Sequence, residues 1–179
     1  DYNGDGALDS VFVVTNLSTG TTYLYSIDKV YLVDRIDVDL SGMSWYVEPS
    51  NPEQRIILAD LTNDGKDDII IGLKSDEPST RIYFIDLTDL DKGVKYYEVL
   101  GDIYVYSIST VHIDKNDMVD IACGLSNGEV LIFLNDFFFQ TMLQPSEVFS
   151  ITGAAKTVRS IDVDSGRTEY SYRYATICE

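Results

Sequence analysis

Apolar residues in this chain come in short runs, and helical spacing is almost absent. The runs are rich in Val, Ile, Tyr and Phe and are bounded by Gly, Asn, Asp or Pro, which is the signature of strands joined by tight turns. Strands are expected at Ser10–Val14, Thr22–Tyr25, Arg55–Ala59, Asp68–Leu73, Arg81–Ile85, Val94–Leu100, Ile103–Val111, Asp120–Leu125, Glu129–Leu134 and Glu169–Ile177. Several of these are continuously apolar, so they are expected to be buried on both faces. Phe137-Phe138-Phe139 is the densest apolar patch and reads as core packing. Modest breaks fall at Pro49-Ser50-Asn51-Pro52 and at Ser75–Thr80. No linker or low-complexity tract interrupts the pattern.

The strands are spaced by a repeat. Asp1-Tyr-Asn-Gly-Asp-Gly-Ala-Leu-Asp9 lies over Asp60-Leu-Thr-Asn-Asp-Gly-Lys-Asp-Asp68 with an offset of 59 residues. His112-Ile-Asp-Lys-Asn-Asp-Met-Val-Asp120 follows 52 residues later, and a weaker copy starts at Asp162, 50 further on. The flanks repeat too: Asp68-Ile-Ile-Ile-Gly-Leu then Arg81-Ile-Tyr-Phe-Ile-Asp matches Asp120-Ile-Ala-Cys-Gly-Leu then Glu129-Val-Leu-Ile-Phe-Leu-Asn. Each unit reads as strand, acidic turn, strand, Gly/Ser turn, strand and a final strand. A four-stranded unit of this length that cannot bury both faces alone is what a propeller blade looks like. The expected fold is therefore all-β: four-stranded antiparallel propeller blades over 1–50, 51–101 and 102–152, with the start of another at 153–179. Three and a half blades do not close a ring, since propellers have four to eight. The expectation is an incomplete propeller or a fragment of a larger one, consistent with a chain that opens directly on a turn motif at Asp1.

Composition sharpens this picture. The 179 residues carry 13 Lys and Arg against 30 Asp and Glu, a net charge of −17. Such a chain is repelled by nucleic-acid backbones and anionic membranes, and no apolar run approaches the ~20 residues of a membrane span. Of the acids, 22 are Asp and 8 are Glu. Asp favours turns and oxygen-ligand loops over helix interiors and strands, so the charge is placed in the turns. Two cysteines, Cys123 and Cys178, and one histidine, His112, make neither a disulfide framework nor a zinc site. The two cysteines read as small buried residues. Asn16-Leu17-Ser18 is a glycosylation sequon that matters only in a secretory eukaryote.

The acidic loops carry the candidate chemistry. Their pattern, D-x-[DN]-x-[DN]-G-x-x-D, sets side-chain oxygens at positions 1, 3, 5 and 9 and a carbonyl at 7. Such a set surrounds a hard cation, and Ca²⁺ takes six to eight oxygens at about 2.3–2.6 Å. Glycine at position 6 permits the sharp turn that makes the oxygens converge. The first copy is complete, with Asp1, Asn3, Asp5, Gly6 and Asp9; the second has Asp60, Thr62, Asp64, Gly65 and Asp68. In the third, His112 and Asp117 replace the first acid and the glycine, which argues against an ion there. The fourth, one residue short, keeps Asp162, Asp164 and Glu169 and reads equally as a site or as a plain turn. Asp37-Val-Asp-Leu-Ser-Gly42 has Trp45 in place of the last acid and is taken as an Asp-rich turn. Ordinary hairpin chemistry explains any one of these loops, but repetition in register favours calcium.

With these loops, each followed by a strand of the Val-Leu-Ile-Phe-Leu-Asn type, the chain resembles FG-GAP/VCBS repeats. These form the blades of integrin α-subunit propellers and of bacterial and archaeal relatives, although the Phe-Gly/Gly-Ala-Pro signature itself is missing here. The resemblance implies Ca²⁺ held at the rim by Asp1, Asn3, Asp5 and Asp9 and by Asp60, Thr62, Asp64 and Asp68; Asp162 and Asp164 of the fourth loop stand beside them as candidate ligands. It further implies a non-catalytic, extracellular or cell-surface scaffold for adhesion to a protein or glycan ligand, packed against the rest of its own propeller or partner chains. Nucleic-acid partners and membrane insertion are not expected. Two alternatives stand beside it. One is a propeller enzyme of the glycan hydrolase or quinone-dependent dehydrogenase type; Asp164-Ser-Gly-Arg-Thr168 partly matches a sialidase Asp-box turn but occurs once. No Ser or Cys elbow accompanies His112. The other is an intracellular assembly propeller.

Overall fold

The computed structural model describes residues 4–7, 9–16, 18–19, 21–27, 33–36, 38–40, 42–44, 56–75, 77–90, 94–113, 116–135, 145 and 147–150. Among them there are twelve strands and no helix: β1 (Ser10–Thr15), β2 (Thr22–Ile27), β3 (Val33–Ile36), β4 (Met43–Ser44), β5 (Ile56–Ala59), β6 (Asp68–Ser75), β7 (Ser79–Ile85), β8 (Val94–Leu100), β9 (Val105–Val111), β10 (Asp120–Leu125), β11 (Glu129–Phe133) and β12 (Glu147–Ser150). The expected strands from Ser10 to Leu134 are all present within a few residues. Three others were not anticipated: β3, β4 and β12. They are short, and in β3 the run is broken by Asp34 and Arg35. The expected strand Glu169–Ile177 and the Phe137–Phe139 patch lie outside the described residues, as do Cys178, Asp37 and Trp45.

Three antiparallel sheets result. The first has the order β1-β2-β3, the second β5-β6-β7-β8 with the small β4 also on β6, and the third β9-β10-β11-β12. Units two and three thus have the four-stranded order read from the repeat, whereas unit one shows three strands. Among the described connections, several are tight turns. Between β10 and β11 the Gly128 N–H returns to the Leu125 carbonyl at 3.1 Å, and Gly128 takes φ +85°, a left-handed conformation that glycine adopts without a Cβ penalty.

The sheets stack in a row through their apolar faces. Between the first and second lie Leu24, Ile36, Met43, Ile69, Ile71, Leu73, Tyr83 and Ile85, with Val11 and Val13 packed against them. Between the second and third lie Ile57, Ile70, Ile82, Phe84, Ile108, Ile121, Cys123, Leu131 and Phe133. Phe84 meets Phe133 edge-on at 5.2 Å, a favoured aromatic geometry. Strands β6 and β10 alternate their side chains into two such layers, so both are buried along nearly their whole length, as their continuous apolar runs require. Strand β1, equally apolar, is only half-buried. At Gly72 in β6 an added Cβ would stand 2.7 Å from the Cβ of Val105, so glycine is what lets β9 approach β6. Among the described residues the row of three sheets does not close on itself.

Candidate metal centre

The acidic loops sit where the chain passes from one strand to the next: loop 60–68 between β5 and β6, loop 112–120 between β9 and β10. The loop before β1 packs beside loop 60–68, because a Cβ added at Gly4 would lie 3.1 Å from the side-chain carbons of Lys66.

Loop 60–68 is folded by its own carboxylates. The backbone N–H groups of Asp64 and Gly65 donate to Asp60 Oδ1 and Oδ2 at 3.1 and 2.9 Å, and Lys66 N–H donates to Asp64 Oδ1 at 3.0 Å. Leu61 and Thr62 N–H both donate to Asp68 Oδ2, at 2.9 and 3.1 Å. Two left-handed residues, Asn63 at φ +58° and Gly65 at φ +86°, make the reversal; Asn and Gly are the residues that tolerate it best. The first loop repeats this frame. Gly4 and Gly6 take φ +74° and +81°, and Ala7 N–H donates to Asp5 Oδ1 at 2.8 Å, the counterpart of the Lys66–Asp64 bond.

Buried oxygen remains in both loops. Asp68 Oδ1, Thr62 Oγ1 and both carboxylate oxygens of Asp9 are buried with no hydrogen-bond partner among the described residues. An unpaired buried polar atom costs about 1–3 kcal/mol, and a charged one more. Burial accordingly raises the Asp68 carboxyl to about 7, with the Asp86 and Asp64 carboxylates adding to the rise and the Leu61 and Thr62 N–H groups opposing it.

The third loop is finished differently. Asp120 accepts from Ile113 N–H at 2.7 Å and from Asn135 N–H at 2.8 Å, so each of its oxygens is paired. Asn135 also donates from Nδ2 to the Leu61 carbonyl at 2.8 Å, tying β11 to the second loop. Its counterpart in unit two, Asp86, instead accepts at Oδ1 from Thr88 N–H and Oγ1 at 2.7 and 2.6 Å, closing a local turn. Asp117, at the glycine position, does not take positive φ. Exposed His112 has Nδ1 3.1 Å from the Met118 carbonyl.

Of the sequence candidates, Asp60, Thr62, Asp64 and Asp68 share one loop, and Asp5 and Asp9 share the neighbouring one. Asp1, Asn3, Asp162 and Asp164 lie outside the described residues. Among the described residues, no three His, Cys, Asp or Glu side chains converge on a common point that would hold an ion. Asp60 and Asp64 are turned onto the loop's own N–H groups. Sequence reasoning missed Asn135 and Asp86 as loop anchors; the matched Ile85-Asp86 and Leu134-Asn135 pairs were the only signal. Cys123 is buried and unbridged, its thiol pushed up by desolvation.

Comparison with known proteins finds no match to a protein-family model, to a curated protein or to a solved structure.

Proposed function

We propose that the chain is a calcium-stabilised interaction scaffold, a non-catalytic segment of an FG-GAP/VCBS-like propeller that works outside the cell and binds a protein or glycan. The observation that carries this reading is the pair of loops before β1 and β6. They share two left-handed positions and the Asp5/Asp64 bond, and they bury oxygens at Asp9, Thr62 and Asp68 that no described residue satisfies. The donor set is all hard oxygen, which suits Ca²⁺ rather than a softer metal. Asp60, Thr62, Asp64 and Asp68 would hold one ion; Asp5 and Asp9, with Asp1 and Asn3, a second; Asp162 and Asp164 are proposed for a third. An oxygen that already accepts one N–H keeps a second lone pair for a cation. The ion supplies charge compensation and loop rigidity, not reactivity. Extracellular modules bind calcium at about 10⁻⁴–10⁻³ M, which fits a scaffold working where the ion is abundant.

The test is a calcium titration of the intact chain followed by thermal melting, with Asp64→Ala beside Asp117→Ala. A melting temperature that rises with calcium in the parent and in Asp117→Ala, but not in Asp64→Ala, supports the proposal. Identical melting in calcium and in chelator for all three would overturn it.

A further inference from the structure

The acid that closes loop 60–68 meets a second acid across the sheet. Strands β6 and β7 pair with Ile70 opposite Phe84 and Ile69 opposite Ile85. One step further along this register, Asp68 stands against Asp86. Side chains of opposite residues share a face of the sheet and alternate along each strand. Ile70 and Phe84 both lie in the layer against the third sheet, so Asp68 and Asp86 belong to that same face. Both acids are buried, at 0% and 9% exposure. Like charges directly opposite each other destabilise a sheet, and neither carboxylate is paired with a Lys or Arg among the described residues. The Asp86 charge is felt at Asp68, where it adds to the rise that burial causes.

Unit three shows what this place holds beside a loop that completes itself. There the last pair is Ile121 opposite Phe133. Matched by register rather than by sequence, the residue set against Asp120 is Leu134, one before Asn135. It is apolar and packs with Ala122, Val130 and Ile132, while Asp120 has both oxygens on backbone N–H groups. In unit two an acid stands in place of that leucine, and Asp68 Oδ1 and Thr62 Oγ1 are buried without a partner among the described residues. The acid is also held in position. Asp86 Oδ1 accepts from Thr88 N–H at 2.7 Å, from Thr88 Oγ1 at 2.6 Å and from Asp89 N–H at 3.3 Å. The sequence of the first unit has an acid at the matching point, where Asp28 follows Ile27 as Asp86 follows Ile85; Asp28 lies outside the described residues.

We propose that Asp86 sets the calcium affinity of loop 60–68 from outside the loop, as a fixed negative charge added to those of Asp60, Asp64 and Asp68. Calcium affinity is tuned by the number of charges around the ion and by the rigidity of the groups that carry them. A dication at the Asp68 end of the loop turns the repulsion between Asp68 and Asp86 into attraction of both acids to one centre. The ion then ties the start of β6 to the end of β7. The third loop, with Leu134 in that place, lacks this charge. The inference rests on the calcium-stabilised reading of the loop and names a determinant of that site which the loop motif does not contain.

The test is calorimetric titration of calcium into the intact, metal-stripped chain, with thermal melting in chelator beside it. The binding step that Asp64→Ala removes is the one assigned to this loop. Asp86→Asn keeps an acceptor for Thr88 and Asp89 and removes the charge, so it should weaken that step by about tenfold or more. In chelator the same variant should melt at the parent's temperature or above it, because a like-charge pair is gone. Asp102→Asn makes the same change in net charge at the far end of β6, where Asp102 pairs with Lys74, and should leave the step unchanged. Parental affinity in Asp86→Asn overturns this inference and leaves the calcium reading standing, as does equal weakening in Asp102→Asn. Weaker binding joined to a lower melting temperature in chelator makes Asp86 a prop of the fold and overturns the inference too. A parent chain with no step that Asp64→Ala removes overturns the calcium reading and the inference together.

Discussion

Loops 60–68 and 112–120 occupy the same place in two adjacent units, yet they settle their electrostatics in opposite ways. In the third unit Asp120 is a structural anchor, its two oxygens taking two backbone N–H groups. In the second unit Asp68 crowds two N–H groups onto one oxygen and leaves the other buried and bare. The difference traces to the residue that ends the third strand. Asn135 aims its N–H at Asp120 and its amide at Leu61, whereas Asp86 folds back on Thr88 and adds a second negative charge near Asp68. A loop that satisfies itself has no use for an ion. A loop left with a buried, unpaired carboxylate oxygen is the one proposed to take an ion.

The largest expected effect tests the self-satisfied half. Asp120→Ala leaves the N–H groups of Ile113 and Asn135 without acceptors, at about 1–3 kcal/mol each. Urea denaturation should show a loss of about 3 kcal/mol or more, equal with calcium and with chelator. Next comes calcium itself. Binding to the folded state alone contributes RT ln(1 + [L]/Kd), about 2.7 kcal/mol at a hundredfold excess over Kd, and Asp68→Asn should abolish that gain.

A smaller effect follows from pH in metal-free protein. The folded Asp68 carboxyl titrates at about 7, above its ordinary 3.8, so the fold favours its protonated form. Its contribution is fully present below about pH 4 and is lost as pH rises through about 7. Urea midpoints measured in chelator should therefore fall between pH 5 and pH 8, and Asp68→Asn should lessen the fall. Saturating calcium should do the same in the parent. The smallest effect separates the two turns. Gly65→Ala, at φ +86°, should cost about 1–2 kcal/mol from left-handed strain, whereas Asp117→Gly should change the midpoint by less than half that.

Much of this contrast was legible in the sequence. His112 and Asp117 already set the third loop apart from the other two, and the alternation of apolar runs with Asp-Gly turns located most strands. What was not legible depends on distance. Asn135 acts on a carbonyl 74 residues away, and no local pattern distinguishes an amide with that task from one on the surface. Strand β3 escaped notice because Asp34 and Arg35 interrupt it, and it takes its place by pairing with β2. Strand β4 is two residues long and exists only by pairing with β6. The half-exposure of β1 was equally hidden, since an apolar run reads the same whether one or both of its faces are covered.

The strand order has a kinetic consequence. Apart from the small β4, strands paired in a sheet are neighbours along the chain, so each hairpin can close before any distant contact forms. Short loops cost little closure entropy, and predominantly local contacts speed folding. Each sheet can then nucleate for itself, and docking of one apolar face on the next becomes the later event. Among the described residues the second sheet docks on both sides and the first and third on one each, so opening should begin at the outer sheets and spread inward, with β6 and β7 among the last strands to release their amides.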